Sequence, residues 1–336
     1  MASKTEPVEA IYHLTRPAAV LRATGPDAFA FLQSQFSNDL RRPGVEQPAT
    51  YGLWLNHKGK IQADSFVLRL GPDEFLLVSY DSPADTLRTH LEAHLIADEV
   101  ELRDETPAFS LVQVSLLEQH GGAAARFLLA EAPAKGTWVK LRDQPELIRW
   151  LGRRPSAPSS PSGNRKPSWD FLGPAAAVER FAAGLTGQGI QAESAELFQF
   201  LRITESIPTV PFDAGPGDLP QECGLERDAV SFDKGCYLGQ EVMARLQTQG
   251  HVNRALWHVM VLGRMILDVP KDKPLPLFAG DKPAGELRCY NGIIGLAMLK
   301  KNAIAGREGL SLTPGGDEVV RLAPAEFVGD LTAPKT

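Results

Sequence analysis

The chain has 336 residues, 43% hydrophobic and 23% charged, which is typical of a globular protein with two or three cores of about 100–150 residues each. Its 41 acidic residues outnumber 35 basic ones, and the formal charge of −6 argues against a dedicated nucleic-acid binder, because such proteins neutralise phosphates with a basic excess. Three cysteines are too few for a disulfide framework or for a self-contained four-cysteine iron–sulfur cluster.

The first 116 residues carry strand and helix patterns in alternation. Strand patterns cover residues 18–24, 74–80, 100–103 and 109–116. Helix patterns cover residues 25–40 and 83–95. In addition, two strand-like runs within residues 51–70 flank Gly59, which favours a tight hairpin. Strands, hairpins and helices in this order predict an α+β protein with antiparallel sheets rather than a doubly wound parallel sheet.

The second half of the chain begins with a segment unlike the rest. Residues 153–168 contain four prolines, five serines and no large apolar residue, which predicts a flexible surface excursion. Helical patterns resume at residues 175–185 and 193–203. From about Ala255 onwards, short strand patterns alternate with Gly and Pro, which is typical of a small β-barrel.

Residues 231–245 hold the strongest candidate for chemistry. Lys234 precedes Cys236 by two residues, and a helical pattern follows Gly239. A cysteine just before a helix N-terminus, with a lysine nearby, is one whose thiolate is favoured, which makes Cys236 a candidate reactive or ligand-donating thiol. A buried structural cysteine in a glycine-rich turn is the alternative. The residues alone leave both interpretations open.

This stretch, KGCYLGQE, resembles the K-G-C-Y-x-G-Q-E signature of the YgfZ branch of the GcvT-like superfamily. Further segments resemble the same family in the same order, from about residue 18 to residue 325. They are ATGPDAFAFLQSQFSNDL, the YGLWLNHKGKIQADSFVLRL hairpin, LRITESIP, LPQECGL and FAGDKPAGEL with IIGLAML after it.

The resemblance implies a three-domain cloverleaf ring around a cavity that holds tetrahydrofolate or a derivative. The expected domains are an α+β folate-binding domain at residues 1–105, which need not be continuous, a second α+β domain at 106–250 with the 153–168 insertion and the cysteine motif, and a β-barrel at 251–336. It also implies a role in maturation or repair of iron–sulfur enzymes, including one that thiomethylates tRNA.

Carried over by position, the family motifs imply Cys236 as the functional thiol and Lys234 as its lysine. The expected folate-binding residues are Asp64, Arg202, Glu205, Tyr237, Gln240 and Glu241. The chain departs from the family pattern at Thr204, which stands where a pterin-holding glutamate is expected, with Ser206 in place of a glycine. It departs again at Ala63-Asp64, where the related T-protein has two aspartates, and Asp64 could equally be a solvated polar residue on a strand.

The resemblance leaves open whether the chain is an enzyme. A glycine-cleavage-type aminomethyltransferase that uses tetrahydrofolate is the alternative function, and a non-catalytic scaffold with a structural Cys236 is a third. Iron–sulfur enzymes or their assembly proteins and reduced folate are the expected partners of a monomeric chain, with no metal site and no strong nucleic-acid binding. The N-terminus resembles neither a signal nor a transit peptide and no apolar stretch reaches the roughly 18 residues of a membrane span, so we expect a cytoplasmic protein.

Overall fold

The structure is a computed structural model that describes residues 10–116, 123–130, 132–153, 168–264 and 267–323. The strands are β1 (Ala10–Thr15), β2 (Ala19–Thr24), β3 (Ala49–Leu55), β4 (Ile61–Gly71), β5 (Glu74–Ser79), β6 (Glu101–Asp104), β7 (Phe109–Leu116), β8 (Trp138–Lys140), β9 (Ile148–Leu151), β10 (Ser168–Pro174), β11 (Ile190–Ala192), β12 (Arg254–Val261), β13 (Leu275–Ala279), β14 (Lys282–Tyr290), β15 (Ile294–Lys300), β16 (Gly309–Ser311) and β17 (Glu318–Leu322). The α-helices are α1 (Ala28–Gln35), α2 (Ala84–Glu92), α3 (Ala123–Leu129), α4 (Ala175–Thr186), α5 (Ala195–Thr204), α6 (Glu226–Ala229), α7 (Gln240–Gln249) and α8 (Lys301–Ile304). Within these residues, every helix is too short or too polar to cross a bilayer.

One antiparallel sheet has the strand order β3-β4-β5-β2-β6. Successive residues of a strand point to opposite faces, so Leu77 packs against α1 and α2 while its neighbours Leu76 and Val78 face the centre of the molecule. The predicted hairpin at Gly59 joins β3 to β4 and is confirmed; Gly59 has a φ of +68°, a conformation that glycine adopts at little cost.

A second sheet has the order β11-β1-β7-β10-β9-β8, antiparallel except for the β1–β11 pair. Helix α4 covers one face of it with Val178, Phe181 and Leu185. Its strand β1 comes from the start of the chain, whereas the other strands follow residue 108. The predicted domain boundaries are not decided by this arrangement and stay a prediction.

Strands β12 to β17 form a closed six-stranded barrel in the order β12-β15-β14-β13-β16-β17, which confirms the predicted C-terminal barrel. A single apolar cluster joins the three units: it contains Leu53 of the first sheet, Trp150 of the second and Leu256 and Met298 of the barrel. The chain is therefore a mixed α+β protein, as predicted, and its three sheets meet at a shared core.

Two predicted segments differ from the structure in extent. Helix α1 ends at Gln35, because Phe36 is extended and forms a bridge with Trp54 of β3, although the expected helix continued to Leu40. Of the predicted excursion at residues 153–168, residues 154–167 lie outside the described part of the chain. Its last residue, Ser168, is buried and begins β10.

Candidate functional site

Cys236 lies in the loop between α6 and α7, and its side chain is exposed. The loop ends at Gly239, which precedes the first residue of α7 and has a φ of +85°, in the left-handed region that L side chains rarely adopt. The other two cysteines, Cys223 and Cys289, are buried, and burial raises the pKa of both thiols. Cys236 is thus the thiol that solvent and reagents reach.

The β3–β4 hairpin packs directly against this loop. A Cβ atom added at Gly239 would lie 2.7 Å from the carbonyl oxygen of Asn56 and 3.1 Å from Cα of Gly59. A Cβ added at Gly59 would lie 2.8 Å from the methyl carbon of Met243 in α7. Two glycines therefore permit the close approach, and the structure brings two of the segments singled out in the sequence into contact.

Lys234 points away from solvent, with 5% of its surface exposed. Its ammonium donates to the carbonyl oxygens of Gln33 at 2.6 Å, Phe36 at 2.6 Å and Asn38 at 3.0 Å. An ammonium group has three N–H donors, so these bonds use them all. Burial lowers the pKa of Lys234 to about 8. The sequence pattern predicted this lysine beside the thiol, whereas in the structure its donors point to the end of α1.

The remaining motif residues differ in their surroundings. Tyr237 is buried with its ring 5.0 Å from Nζ of Lys234, and burial raises its pKa to about 12. Its hydroxyl has no hydrogen-bond partner among the described residues. Gln240 donates through Nε2 to the Lys234 carbonyl at 3.3 Å, whereas Glu241 is exposed in the first turn of α7. Tyr237 and Gln240 thus help to shape the loop, and Glu241 faces solvent.

Asp64 on β4 is buried, with 6% of its surface exposed, so its interpretation as a solvated strand residue is wrong. Its carboxylate accepts hydrogen bonds from Ser82 at 2.7 Å, Tyr51 at 2.8 Å and Ser79 at 2.9 Å. Burial raises the pKa of Asp64 even though these hydroxyls oppose the shift by stabilising the carboxylate. The result is a carboxylate held in one orientation inside the molecule.

A cation lies beside this carboxylate, and the sequence analysis missed it. The guanidinium carbon of Arg153 is 4.0 Å from the centre of the Tyr51 ring, and Nε donates to Asp228 at 3.0 Å. Arg153 also has its pKa raised, with attraction from Asp228, Tyr51 and Asp64 outweighing burial. Its position at the start of the Pro/Ser-rich stretch concealed it, because composition describes a stretch as a whole and not the surroundings of one residue in it.

Arg202 and Glu205 lie at the C-terminal end of α5, and both are buried. Arg202 pairs with the carboxylate of Asp213 at 2.5 Å and also donates to the Ile207 carbonyl at 3.0 Å. This ion pair holds the chain after α5 in place, and Asp213 has a lowered pKa because of it, against the effect of burial. Arg202 thus has a structural role, which is to bind Asp213 and the Ile207 carbonyl.

The departures from the family pattern have local explanations. Thr204 Oγ donates to the Phe200 carbonyl four residues earlier at 2.9 Å, as helical threonines often do. Ser206 has a φ of +58°, a left-handed conformation that glycine, the residue expected at this position, adopts more easily. Ile203 of this segment, Tyr51 of the hairpin strand and Tyr237 of the cysteine motif all belong to the same apolar cluster. The three segments that were expected to share a site therefore share a core.

A pocket of about 320 Å³ lies elsewhere, in the second sheet. It is lined by Phe127, Ala130, Leu141, Arg142, Asp143, Gln144, Arg149, Phe171 and Phe181. None of the site residues predicted from the sequence is among them. The candidate site is therefore defined by the contacts around Cys236 and Asp64 and is separate from this pocket. No group of three or more metal-ligating side chains occurs in the part of the chain that the structure describes.

Residues 17–132 match the model of a known family, the GCVT N-terminal domain. This part of the chain is therefore similar to that domain family. The fold of the described residues is that of the glycine cleavage system aminomethyltransferase T from Bartonella henselae, with a TM-score of 0.69 over 96% of this chain and 88% of that one, at 17% identity.

Two curated relatives are similar over most of the chain. The mitochondrial iron-sulfur cluster assembly factor IBA57 from Mus musculus is 27% identical over 303 residues, 86% of this chain and 77% of the relative. The tRNA-modifying protein YgfZ from Escherichia fergusonii is 24% identical over 242 residues, 71% of this chain and 68% of the relative.

Residues 17–132, which match the family model, contain α1, the β3–β4 hairpin and Asp64, whereas Lys234 and Cys236 lie outside the matched residues. The contacts of Lys234 with the end of α1, and of Gly239 with Gly59, therefore join the cysteine loop to the matched segment. The candidate site is formed where that segment meets the rest of the chain.

Proposed function

We propose that this chain is a folate-binding accessory protein that supports iron–sulfur enzymes through the thiol of Cys236. The observation that carries the proposal is the position of this thiol: it is exposed, and it lies on a loop anchored to the segment that matches the GCVT N-terminal domain. Similarity to IBA57 and YgfZ, whose names describe iron–sulfur cluster assembly and tRNA modification, supports the choice of process. Iron–sulfur enzymes or their assembly proteins are the partners that the proposal names.

The chemistry available at the loop is that of a single soft nucleophile. A thiolate can attack an electrophile, exchange with a disulfide or donate to a metal ion that a partner delivers. Cys223 and Cys289 are buried, and the raised pKa of each keeps it in the thiol form. Cys236 therefore acts alone, and any cluster that it contacts belongs to the partner as substrate.

Some of the polar side chains at the candidate site suit a reduced folate, and one does not. Position 204 does not fit a pterin, because the Thr204 hydroxyl is bonded to the Phe200 carbonyl and carries no charge. Glu205 supplies a buried carboxylate at the next residue, and Asp64 supplies a second one beside Tyr51. A pterin ring presents paired N–H groups that a carboxylate accepts with charge-assisted hydrogen bonds. We assign the pterin contact to Glu205 and a flanking role to Asp64.

In this proposal the chain's residues bind and orient the folate, which, when bound, carries a one-carbon unit. The carboxylate of Asp64 is held by three hydroxyls and keeps its orientation. Arg202 holds the segment that follows Glu205 through its pair with Asp213. Cys236 remains accessible to a partner protein from the solvent side.

The decisive experiment replaces Cys236 in the native host. A strain lacking the gene should regain its iron–sulfur enzyme activities with the wild-type gene and fail to regain them with Cys236→Ser, which removes one soft atom. Gly235→Ala is the matched control: it lies one residue away, has no positive φ, and its added Cβ meets no atom within 4 Å. Full recovery with Cys236→Ser would show that the thiol is structural.

Folate binding is tested separately by calorimetry with tetrahydrofolate. Glu205→Gln removes a charge-assisted hydrogen bond worth roughly 1.5–3 kcal/mol, so affinity should fall about tenfold or more. Thr204→Glu restores a carboxylate at the family position and should tighten binding. Equal affinities for the wild type and Glu205→Gln would refute the assignment of the pterin contact to that residue. Transfer of a lipoyl-bound aminomethyl group in vitro would instead favour the aminomethyltransferase alternative.

A further inference from the structure

The C-terminal end of α1 is capped by the cysteine loop. The last carbonyls of a helix lack partners within the helix and carry a partial negative charge. In α1, the Gln33 carbonyl accepts from Nζ of Lys234 at 2.6 Å, and the Ser34 carbonyl accepts from the backbone N–H of Leu238 at 3.1 Å. The carbonyls of two consecutive α1 residues are thus hydrogen-bonded to Lys234 and Leu238. These are the first and last of five residues, and Cys236 is the middle one.

Contacts on the same side extend this attachment. The backbone N–H of Ser231 donates to the Ser37 carbonyl at 3.0 Å, and the Ser37 hydroxyl donates to the Ala229 carbonyl at 2.6 Å. The Asn38 amide donates to the Asp228 carbonyl at 3.0 Å. The chain from residue 228 to residue 238 is therefore held along the segment that follows α1, with Cys236 exposed in the last part of it.

We propose that Lys234 is a positioning residue: its ammonium holds the Cys236 loop on the end of α1, and it does not act by setting the charge of the thiol. All three of its N–H donors are used by carbonyl oxygens, and its charge lies at the end of a helix dipole that favours a cation. The charged groups near it are Asp39 and Arg41, which bind each other at 2.8 Å. The proposal deepens the proposed function, since it concerns the same thiol, but its test does not depend on that function.

The test uses purified full-length protein and three variants. Lys234→Met keeps the length of the side chain and removes its donors and charge. Ser37→Ala leaves the lysine intact and removes the neighbouring bond to Ala229. Leu185→Ala truncates a core residue of the second sheet, away from the loop, and serves as a control for global destabilisation.

Hydrogen exchange is the first measurement. Amides of residues 34–38 and 231–239 should exchange about tenfold faster or more in Lys234→Met and in Ser37→Ala, while Leu185→Ala leaves their protection relative to the rest of the chain unchanged. Unchanged protection in Lys234→Met would overturn the proposal. Should that variant not fold, unchanged protection in Lys234→Gln, whose shorter neutral side chain cannot reach all three carbonyl oxygens, would overturn it instead.

The pH dependence of Cys236 alkylation is the second measurement. A positioning role leaves the midpoint of the alkylation profile in Lys234→Met where it is in the wild type. A direct charge effect on the thiol raises that midpoint by about one unit, which would overturn the proposal. Lys234→Met and Leu185→Ala are also compared in cells. If Cys236→Ser fails to restore iron–sulfur enzyme activity there, Lys234→Met should restore less of that activity than Leu185→Ala does. If Cys236→Ser retains support, the proposed function fails, while exchange and alkylation still decide the role of Lys234.

Discussion

Replacing Gly239 by alanine tests the contact between the hairpin and the cysteine loop. Gly239 has a φ of +85°, a left-handed conformation that costs an L side chain roughly 1–2 kcal/mol. The new Cβ would also lie 2.7 Å from the carbonyl oxygen of Asn56, a backbone atom that cannot rotate away. Overpacking of this kind costs about 1–3 kcal/mol, so the free energy of unfolding should fall by about 2–5 kcal/mol in total.

Urea denaturation of Gly239→Ala and two control variants separates these two contributions. Gly44 has a φ of +76° and open space around it, so Gly44→Ala should show the conformational cost alone, roughly 1–2 kcal/mol. Gly235 has neither constraint, so Gly235→Ala should be neutral or stabilise by up to about 1 kcal/mol. Equal losses for Gly239→Ala and Gly44→Ala would refute the close packing of hairpin and loop.

Three further predictions concern titratable groups. Iodoacetamide should label Cys236 much faster than the buried Cys223 and Cys289 at neutral pH, measured by peptide mass spectrometry; equal rates would contradict the burial pattern. Burial raises the pKa of Asp64 above its ordinary 3.8, so the folded state binds this proton more tightly than the unfolded chain does. The resulting stabilisation is present at low pH and is lost as the pH rises. Asp64→Asn, which is neutral at every pH, should therefore gain stability relative to the wild type from about pH 4 upwards. Burial lowers the pKa of Lys234 from 10.5 to about 8, so the folded state binds fewer protons than the unfolded chain in that window; stability should rise from pH 8 towards 10.5 in the wild type and less so in Lys234→Met.

Patterns of neighbouring residues predicted much of the fold, because strands, turns and helices depend largely on residues that are close in sequence. The alternation of apolar residues around Gly59 predicted the β3–β4 hairpin, whose turn needs a positive φ. The end of α1 could not be predicted in this way: the helical spacing continues to Leu40, but the bridge between Phe36 and Trp54 ends the helix earlier. Leu40 is nevertheless buried. Its apolar character therefore indicated burial correctly, although the residue lies beyond the end of the helix.

The sequence predicted several residues of the candidate site, but it did not predict how they contact one another in the folded chain. The residue types and spacing of the cysteine motif left open whether Cys236 is a reactive thiol or a buried structural one, and its side chain is exposed. The partners of Lys234 could not be predicted, because they are backbone carbonyls about 200 residues earlier and every residue has a carbonyl. Arg153 was missed for a related reason: its environment is formed by Tyr51 and Asp228, which only the folded chain brings together.

The capping of α1 by the cysteine loop has a consequence for the order of events during synthesis. The carbonyls of Gln33, Phe36 and Asn38 emerge from the ribosome 196 or more residues before Lys234, their shared partner. The first sheet and its two helices have a core of their own, so they can fold while this helix end is still hydrated. The thiol is therefore placed in its loop only after most of the chain has been made, and a truncated product that ends before residue 234 contains the α1 half of the candidate site without Lys234 and Cys236.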